Sequence, residues 1–361
     1  MKTLILFILL LSLIIVIHEC GHLIAAKIFG VYCAEFSLGM GPKLFSIKGK
    51  ETEYSLRLLP LGGFVSMAGD NDNALETSAD PDNQIPPERS LKGIARWKRV
   101  IVMLAGIIMN FILALVIVAI ILMVNGKYAV APEAVIKDVE NGSPAYNAGM
   151  KAGDKVTRIA FENGSSMKIK TFNDFSDFML TYDGEGEVTI TVERSGEKID
   201  LKLIPEHDEQ NESNPYHVGV YSNSYEVVDI NILNCWKYAI IYLKEVMKLM
   251  ITTVIGLFRG IGLNNLSGPV GIYNATSQAA EMGFMTYLNL IAILSLNVGI
   301  VNALPLPILD GGRVLILIIE MIIGRPISKK AENIAMTVSM LLLIMLMVFA
   351  TYQDIARLIT G

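Results

Sequence analysis

Four long stretches free of charged side chains limit what this chain can fold into more than any other feature of its sequence. The first is Thr3–Ile17, which runs on apolar through His22 to Phe29; Val100–Gly126, Met282–Leu309 and Asn333–Gln353 follow. A charged side chain at the bilayer centre costs about 2.5–3.5 kcal/mol on insertion scales, so charges mark where spans end. Each stretch meets or exceeds the roughly 20 residues that a membrane-spanning helix needs. The composition agrees: 52% hydrophobic and 18% charged residues disfavour a wholly soluble fold. A formal charge of only −5 gives no positive field to hold nucleic acid. Cys20, Cys33 and Cys235 are too scattered for a disulfide framework or a cysteine metal knuckle.

The first stretch competes with a secretory signal peptide, since Lys2 precedes an apolar run. His18-Glu19 interrupts that run, no small-residue cleavage site follows, and the helical pattern continues past His22. Basic residues set the orientation. Arg89, Lys92, Arg96, Lys98 and Arg99 precede the second span, and only Lys127 closely follows it. Arg313, Arg325, Lys329 and Lys330 follow the third span, and only Arg357 follows the fourth. Four spans with both chain ends and residues 127–280 outside satisfy both asymmetries. Tyr238–Leu263 is a fifth candidate, but Lys244, Glu245, Lys248 and Arg259 interrupt it. Its apolar residues recur at helical spacing, as in an amphipathic helix lying in the interface.

Between the first two spans, Glu35–Leu38 and Glu53–Leu58 alternate like strands, punctuated by Gly39, Gly41, Gly62 and Gly63, which predicts a small sheet beside the membrane. Asp70–Pro87 is acidic and rich in Asn, Ser and Pro, the composition of a mobile loop. From Ala129 to Pro205 the sequence turns globular. Val135–Val139 reads as a strand, Asn141-Gly142-Ser143-Pro144 as a turn into a short helix, and Thr171–Leu180 as a helix. Glu187–Arg194 and Lys198–Ile204 read as a hairpin around Ser195-Gly196. This order resembles a bacterial PDZ domain, a fold that takes an extended peptide onto a sheet edge; a small β-rich domain with no peptide role is the alternative. The fold class expected is an α-helical polytopic membrane protein with four transmembrane helices, a membrane-associated β-hairpin or sheet, and one inserted extracytoplasmic PDZ domain. The expected segments are 1–30 (first span), 31–98 (cytoplasmic-side hairpin region and acidic loop), 99–126 (second span) and 128–206 (PDZ). Then come 207–281 (linker and interfacial helix), 282–312 (third span), 313–332 (cytoplasmic loop) and 333–353 (fourth span).

His18-Glu19-Cys20-Gly21-His22 is an H-E-x-x-H sequence. On a helix it puts both imidazoles on one face with the glutamate beside them. In zinc hydrolases such a pair ligates the metal, and the glutamate takes a proton from metal-bound water. The trio lies inside an apolar span, where ionisable groups need partners that metal ligation provides. A third protein ligand is normally required. Glu35 is one candidate, though it must fold back past Gly30. Asp310 is better placed: Pro305, Pro307, Gly311 and Gly312 surround it with irregular backbone that can aim a carboxylate inward. The basic-residue topology independently brings Asp310 and the histidine pair to the same side of the membrane.

The chain resembles the site-2 protease family of intramembrane zinc proteases, in its bacterial PDZ-containing branch. The resemblance rests on H-E-x-x-H, on Asn302–Gly312 with its Asn-x-x-Pro-x-Pro-x-Leu-Asp-Gly-Gly pattern, on Ser267–Ile272, and on Gly39-Met40-Gly41-Pro42. It implies His18, His22 and Asp310 as zinc ligands, Glu19 as catalytic acid/base, and Zn²⁺ as cofactor. It further implies that Asn297 and Asn302 hold or unwind the substrate while the hairpin around Gly39 and Gly41 offers it a strand edge. The implied activity is cleavage of single-span membrane proteins, either anti-sigma factors or remnant signal peptides. The implied partners are that transmembrane substrate and membrane lipid, with no nucleic acid. Best-studied members carry two tandem PDZ modules, whereas this chain has room for one. A catalytically inactive PDZ adaptor or chaperone, and a metal or ion transporter using His and Asp, are the competing readings.

Overall fold

The computed structural model describes residues 2–70, 85–182, 184–207, 216–223, 225–258 and 267–360, so most of the acidic stretch Asp70–Pro87 lies outside the described residues. The chain divides into two units, Met1–Val124 with Ile232–Gly361, and Asn125–Asn231.

The first unit holds α1 (Lys2–Ile28), strands β1 (Cys33–Lys48) and β2 (Glu53–Met67), and α2 (Arg96–Asn125). Beyond the second unit it continues with α5 (Cys235–Phe258), α6 (Pro269–Met282), α7 (Phe284–Asn302), α8 (Asp310–Ile323) and α9 (Lys329–Thr360). Among the described residues, α1, α2, α7 and Lys329–Arg357 of α9 are long and apolar enough to cross a membrane. Helix α5, with Lys244, Glu245 and Lys248 at its centre, is not among them. The third span is shorter than its charge-free run. Its helix stops at Asn302 because Pro305 and Pro307 have no N–H to continue the ladder, and Ala303–Leu309 turns instead. At 1.5 Å per residue α7 is still about 29 Å long, close to the hydrocarbon thickness. Residues 313–323, expected as loop, extend α8. Their apolar run is too short to span a bilayer but buries Val314 and Leu317 against the core formed by α1, β2 and α2.

Strands β1 and β2 are longer than the sequence suggested and bend on glycines. Residues 35–38 of β1 pair on one side with 53–56 of β2 and on the other with 63–66, while 43–48 of β1 pair with 53–57. Gly39, Gly41 and Gly62 make these bends with φ of +90°, +85° and +88°. The segments therefore lie in the order 43–48, 53–58, 35–38, 63–67, which leaves 43–48 and 63–67 at the edges. Met40, Leu44, Phe45 and Ile47 remain exposed on this sheet, as suits apolar surroundings. At the other end of the unit, Asp354 of α9 caps α6 from outside. Its Oδ2 accepts the N–H groups of Gly268 (2.9 Å) and Gly271 (2.7 Å). A Cβ at either glycine would press within 3.0 Å of that carboxylate, which explains the Gly-Pro-x-Gly spacing.

In the second unit β3 (Lys127–Val130) pairs with β12 (Glu226–Asp229), and β4 (Ile136–Val139) with β11 (Val220–Ser222). After the short helix α3 (Pro144–Asn147), β5 (Lys155–Phe161), β6 (Ser166–Lys168), β7 (Val188–Arg194) and β8 (Glu197–Leu203) form an antiparallel sheet in the order β6-β5-β7-β8. Helix α4 (Phe172–Met179) begins in a capping box between Thr171 and Asp174, and the pair β9 (Glu206–His207) and β10 (Tyr216–His217) completes the unit. Strict alternation buries Val188, Ile190 and Val192 of β7 beneath Phe175 and Phe178 of α4. Arg194 grips Asp154 bidentately, with Nε and Nη2 each 2.7 Å from a carboxylate oxygen. Burial pushes the Asp154 carboxyl up, but the bonds from Arg194 and from the Lys151 N–H outweigh it and hold the group below the usual carboxylate range.

Candidate metal centre

Helix α1 carries His18 and His22 one turn apart, both buried, facing α2 and the start of α8. Their Nε2 atoms lie 3.2 Å from each other and 3.1 and 3.4 Å from Asp310 Oδ2. Four ligands placed tetrahedrally at 2.0–2.1 Å around zinc are about 3.3 Å apart, so the three atoms already form one face of such a tetrahedron. Asp310 Oδ2 is buried and, among the described residues, has no hydrogen-bond partner beyond the two imidazoles it faces, an expensive state for a carboxylate that a cation would relieve. Among the described residues these three form the group of His, Cys, Asp and Glu side chains whose ligand atoms converge.

Three elements build this arrangement. Helix α2 comes close to α1 because Gly21 has no side chain; a Cβ there would overlap the carbonyl of Ala105. Gly106, the next residue of α2, is the floor beneath the imidazoles: a Cβ would overlap His22 Nε2 and stand 2.7 Å from His18 Cε1. Helix α8 starts at Asp310, where a carboxylate also suits the positive end of the helix dipole. Gly311 and Gly312 let it fold back, since Cβ atoms there would overlap the carbonyls of Ala303 and Leu306.

The far side of each ring is held as well. His22 Nδ1 lies 2.8 Å from the Val102 carbonyl, which requires a proton on Nδ1 and turns the Nε2 lone pair toward Asp310. His18 Nδ1 lies 3.2 Å from the Asn110 amide, and Ser295 of α7 donates 2.9 Å to the Asn110 carbonyl. Asn110 is fully buried and its Oδ1 has no partner. Turning the amide by 180° gives Oδ1 the His18 Nδ1–H and leaves His18 Nε2 as a lone-pair donor too. Sequence reasoning missed Asn110, Gly106 and Ser295. Of these only Asn110 stood out in the sequence, as the one strongly polar side chain deep within the second apolar run, and nothing there said which element it would face.

Glu19 lies beside the ligand triangle and also reaches β2. The Val65 N–H is a hydrogen-bond partner of its carboxylate, and a Cβ on Gly63 would lie 3.3 Å from Glu19 Cγ. The edge nearest the glutamate is thus 63–67. Gly39 and Gly41 stand at the bend on the far side of 35–38, and a Cβ on Gly39 would crowd the backbone oxygens of Leu59 and Arg57. Asn297 is exposed on α7 and Asn302 is its half-buried last residue, and among the described residues neither side-chain amide has a hydrogen-bond partner. Glu35 is engaged elsewhere: Arg57 Nη2 lies 2.8 Å from Oε1, Lys43 Nζ lies 3.4 Å from Oε2, and Ser55 donates to Oε1. Burial raises its carboxyl, but the bonds from Ser55 and Arg57 hold it below the ordinary range, so its charge already has partners.

A family model, "Peptidase family M50", matches residues 6–346. The zinc metalloprotease RasP of Bacillus licheniformis is 31% identical over 429 aligned positions, which cover 99% of this chain and 100% of that protein. The regulator of sigma-W protease RasP of Bacillus subtilis is 30% identical, with 99% of each chain covered. Both alignments are longer than the 361 residues of this chain, so those relatives hold segments that it lacks. The chain therefore belongs to peptidase family M50, the site-2 proteases, as a zinc metalloendopeptidase of the multi-pass membrane type.

Proposed function

We propose that this chain cleaves single-span membrane proteins within the bilayer, with His18, His22 and Asp310 holding the zinc ion and Glu19 acting as acid/base. The observation that carries the proposal is the triangle of 3.1, 3.2 and 3.4 Å between the three ligand atoms, which matches a zinc tetrahedron before any metal is added. Bound zinc supplies a Lewis acid and brings the pKa of water down toward about 7. Glu19 takes the proton of the attacking water and returns it to the leaving amine.

A transmembrane helix hides its scissile carbonyl in hydrogen bonds, so it must be extended before cleavage. The outer edge of 63–67, beside Glu19, is the strand to which an extended segment would add. Gly39 and Gly41 contribute by bending β1 so that 35–38 supports that edge from behind. Asn297 and Asn302, with unbonded amides, offer replacement hydrogen bonds to the unwound backbone. Anti-sigma factors or remnant signal peptides are the substrate class, and the relative named a regulator of sigma-W favours the former.

The unit Asn125–Asn231 acts as an extracytoplasmic PDZ domain. A groove of about 270 Å³ between α4 and β11, lined by Phe172, Phe175, Met179, Val218 and Tyr221, suits an extended peptide. The basic residues at 89–99 and 313–330 support a metal centre toward the cytoplasmic side. The test is a Glu19→Gln chain expressed with a single-span substrate. It should keep about one equivalent of zinc and lose cleavage, whereas His22→Ala should lose both; cleavage by Glu19→Gln would overturn the assignment.

A further inference from the structure

We propose that the protein carries a binding site for one anionic phospholipid in a cavity between the first turns of α2, the C-terminal half of α8 and the first turns of α9. The cavity measures about 540 Å³ and lies outside the ligand triangle. Lys92, Arg96, Arg99, Arg313 and Lys329 line it, against Asp70, Glu320 and Glu332.

Among the described residues no carboxylate forms an ion pair with the two arginines of α2, although Glu320 attracts Arg99 at longer range. Asp70 pairs with Arg313 at 2.9 Å, and Glu320 Oε1 accepts the N–H of Ile327 at 2.9 Å. Arg96 bonds only to the backbone carbonyl of Glu320, and Arg99 only to the backbone carbonyls of Ile94 and Lys92. Both are half-buried, and each keeps several of its five N–H donors unspent. Helix physics makes their placement costly. Arg96 and Arg99 sit in the first turn of α2, which has no acid there, so two cations meet the positive end of a helix dipole, whereas Lys329 at the start of α9 has Glu332 in the same turn. An anion seated among them relieves the repulsion at the start of α2 and meets guanidinium forks suited to a phosphate.

Other walls identify the anion as a lipid. Met103, Leu317 and Met336 line the same cavity. Inorganic phosphate would leave them wet, whereas a phospholipid covers them with its acyl chains while its headgroup reaches the arginines. Basic pockets between transmembrane helices at the charged end of a bundle bind lipid headgroups in this manner. Such a lipid would tie α2 and α9 to α8, whose first residue is Asp310 and whose Arg313 lines the cavity one turn later.

The test is native mass spectrometry of the purified full chain from mixed micelles of phosphatidylglycerol and phosphatidylcholine, which reads lipid retention independently of proteolysis. Phosphatidylglycerol should be retained over phosphatidylcholine, and Arg96→Gln and Arg99→Gln should each weaken retention about fivefold. Lys98→Gln is the charge-matched control, since Lys98 lies over the Phe29 and Trp97 rings at 5.6 and 5.7 Å, outside the cavity. It should retain lipid like the unmodified chain. On the unmodified chain alone, phosphatidylglycerol should raise the thermal midpoint and millimolar inorganic phosphate should not. Equal retention of the two lipids, equal weakening by Lys98→Gln, or equal protection by inorganic phosphate would each overturn the proposal.

Discussion

Replacing Gly106 by alanine tests the proposed metal centre without replacing any of its proposed ligands. The new methyl group would overlap His22 Nε2 and lie 2.7 and 2.9 Å from His18 Cε1 and Nε2. Ordinary carbon–nitrogen contact needs about 3.5 Å, so both rings must retreat by roughly 0.6–0.8 Å or more. A metal site tolerates about 0.2 Å in its ligand distances, and a misplacement near 1 Å costs about a hundredfold in rate. Overpacking costs the fold about 1–3 kcal/mol, partly offset by about 0.5–1 kcal/mol from replacing a mid-helix glycine. Gly106→Ala should therefore stay folded by circular dichroism and gel filtration, yet hold well under one equivalent of zinc by atomic absorption and cleave about a hundredfold more slowly. A folded Gly106→Ala protein with full zinc and undiminished cleavage would refute the assignment of the two imidazoles to the metal.

Asn110→Leu removes the partner of His18 Nδ1 while keeping most of the volume, and zinc affinity measured by chelator competition should fall about 10- to 100-fold. Asp354→Ala strips the cap from α6 and leaves the Gly268 and Gly271 N–H groups without an acceptor, so it should cost about 1.5–3 kcal/mol, seen as a lower thermal midpoint with zinc content unchanged. For Asp154 the folded-state pKa lies below the unfolded value near about 3.9, so its pairing stabilises the fold above that pH and the contribution vanishes as pH falls through the lower folded value. Arg194→Gln should accordingly weaken the second unit at neutral pH and converge with the unmodified chain in strong acid, followed by pH-dependent thermal melts.

Much of the candidate metal centre was legible because its proposed ligands sit in short motifs whose chemistry depends on local spacing. His18 and His22 share a helix face by periodicity alone, and the prolines and glycines around Asp310 announce a helix break that can deliver a carboxylate. The sheet was only partly legible: alternation found 35–38 and 53–58, but the pairing of 35–38 on both sides depends on where three glycines bend the strands. That pairing moves the edge nearest Glu19 from the Gly39 bend to 63–67. Residues 313–323 were read from their flanking arginines as loop, because an apolar run too short to span carries no membrane signal even when it packs as a helix. Asn110 and Gly106 depend on how α2 is turned against α1, which no pattern within either helix encodes.

That rotation is itself specified by small residues. In a bilayer, lipid tails compete equally for apolar side chains, so helices associate where backbones come close and polar groups can meet. The chain places a residue lacking a side chain at several close approaches: Gly21 against Ala105, Gly106 beneath the imidazoles, Gly299 against Phe111, Gly311 against Ala303 and Gly312 against Leu306. Gly299 is the neighbour on α7 of the turn carrying Ser295, and it lets α7 approach until Ser295 reaches the Asn110 carbonyl at 2.9 Å. Gly299→Leu would thus act on the metal centre at a distance. Phe111 must yield, the Ser295 bond is lost, and Asn110 is freed from the position in which it faces His18. Zinc affinity should fall together with the thermal midpoint, and adding Asn110→Leu to Gly299→Leu should weaken zinc binding little further. Fully additive losses in that double-mutant cycle would mean that Gly299 acts on packing alone and that α7 does not help to set the histidine.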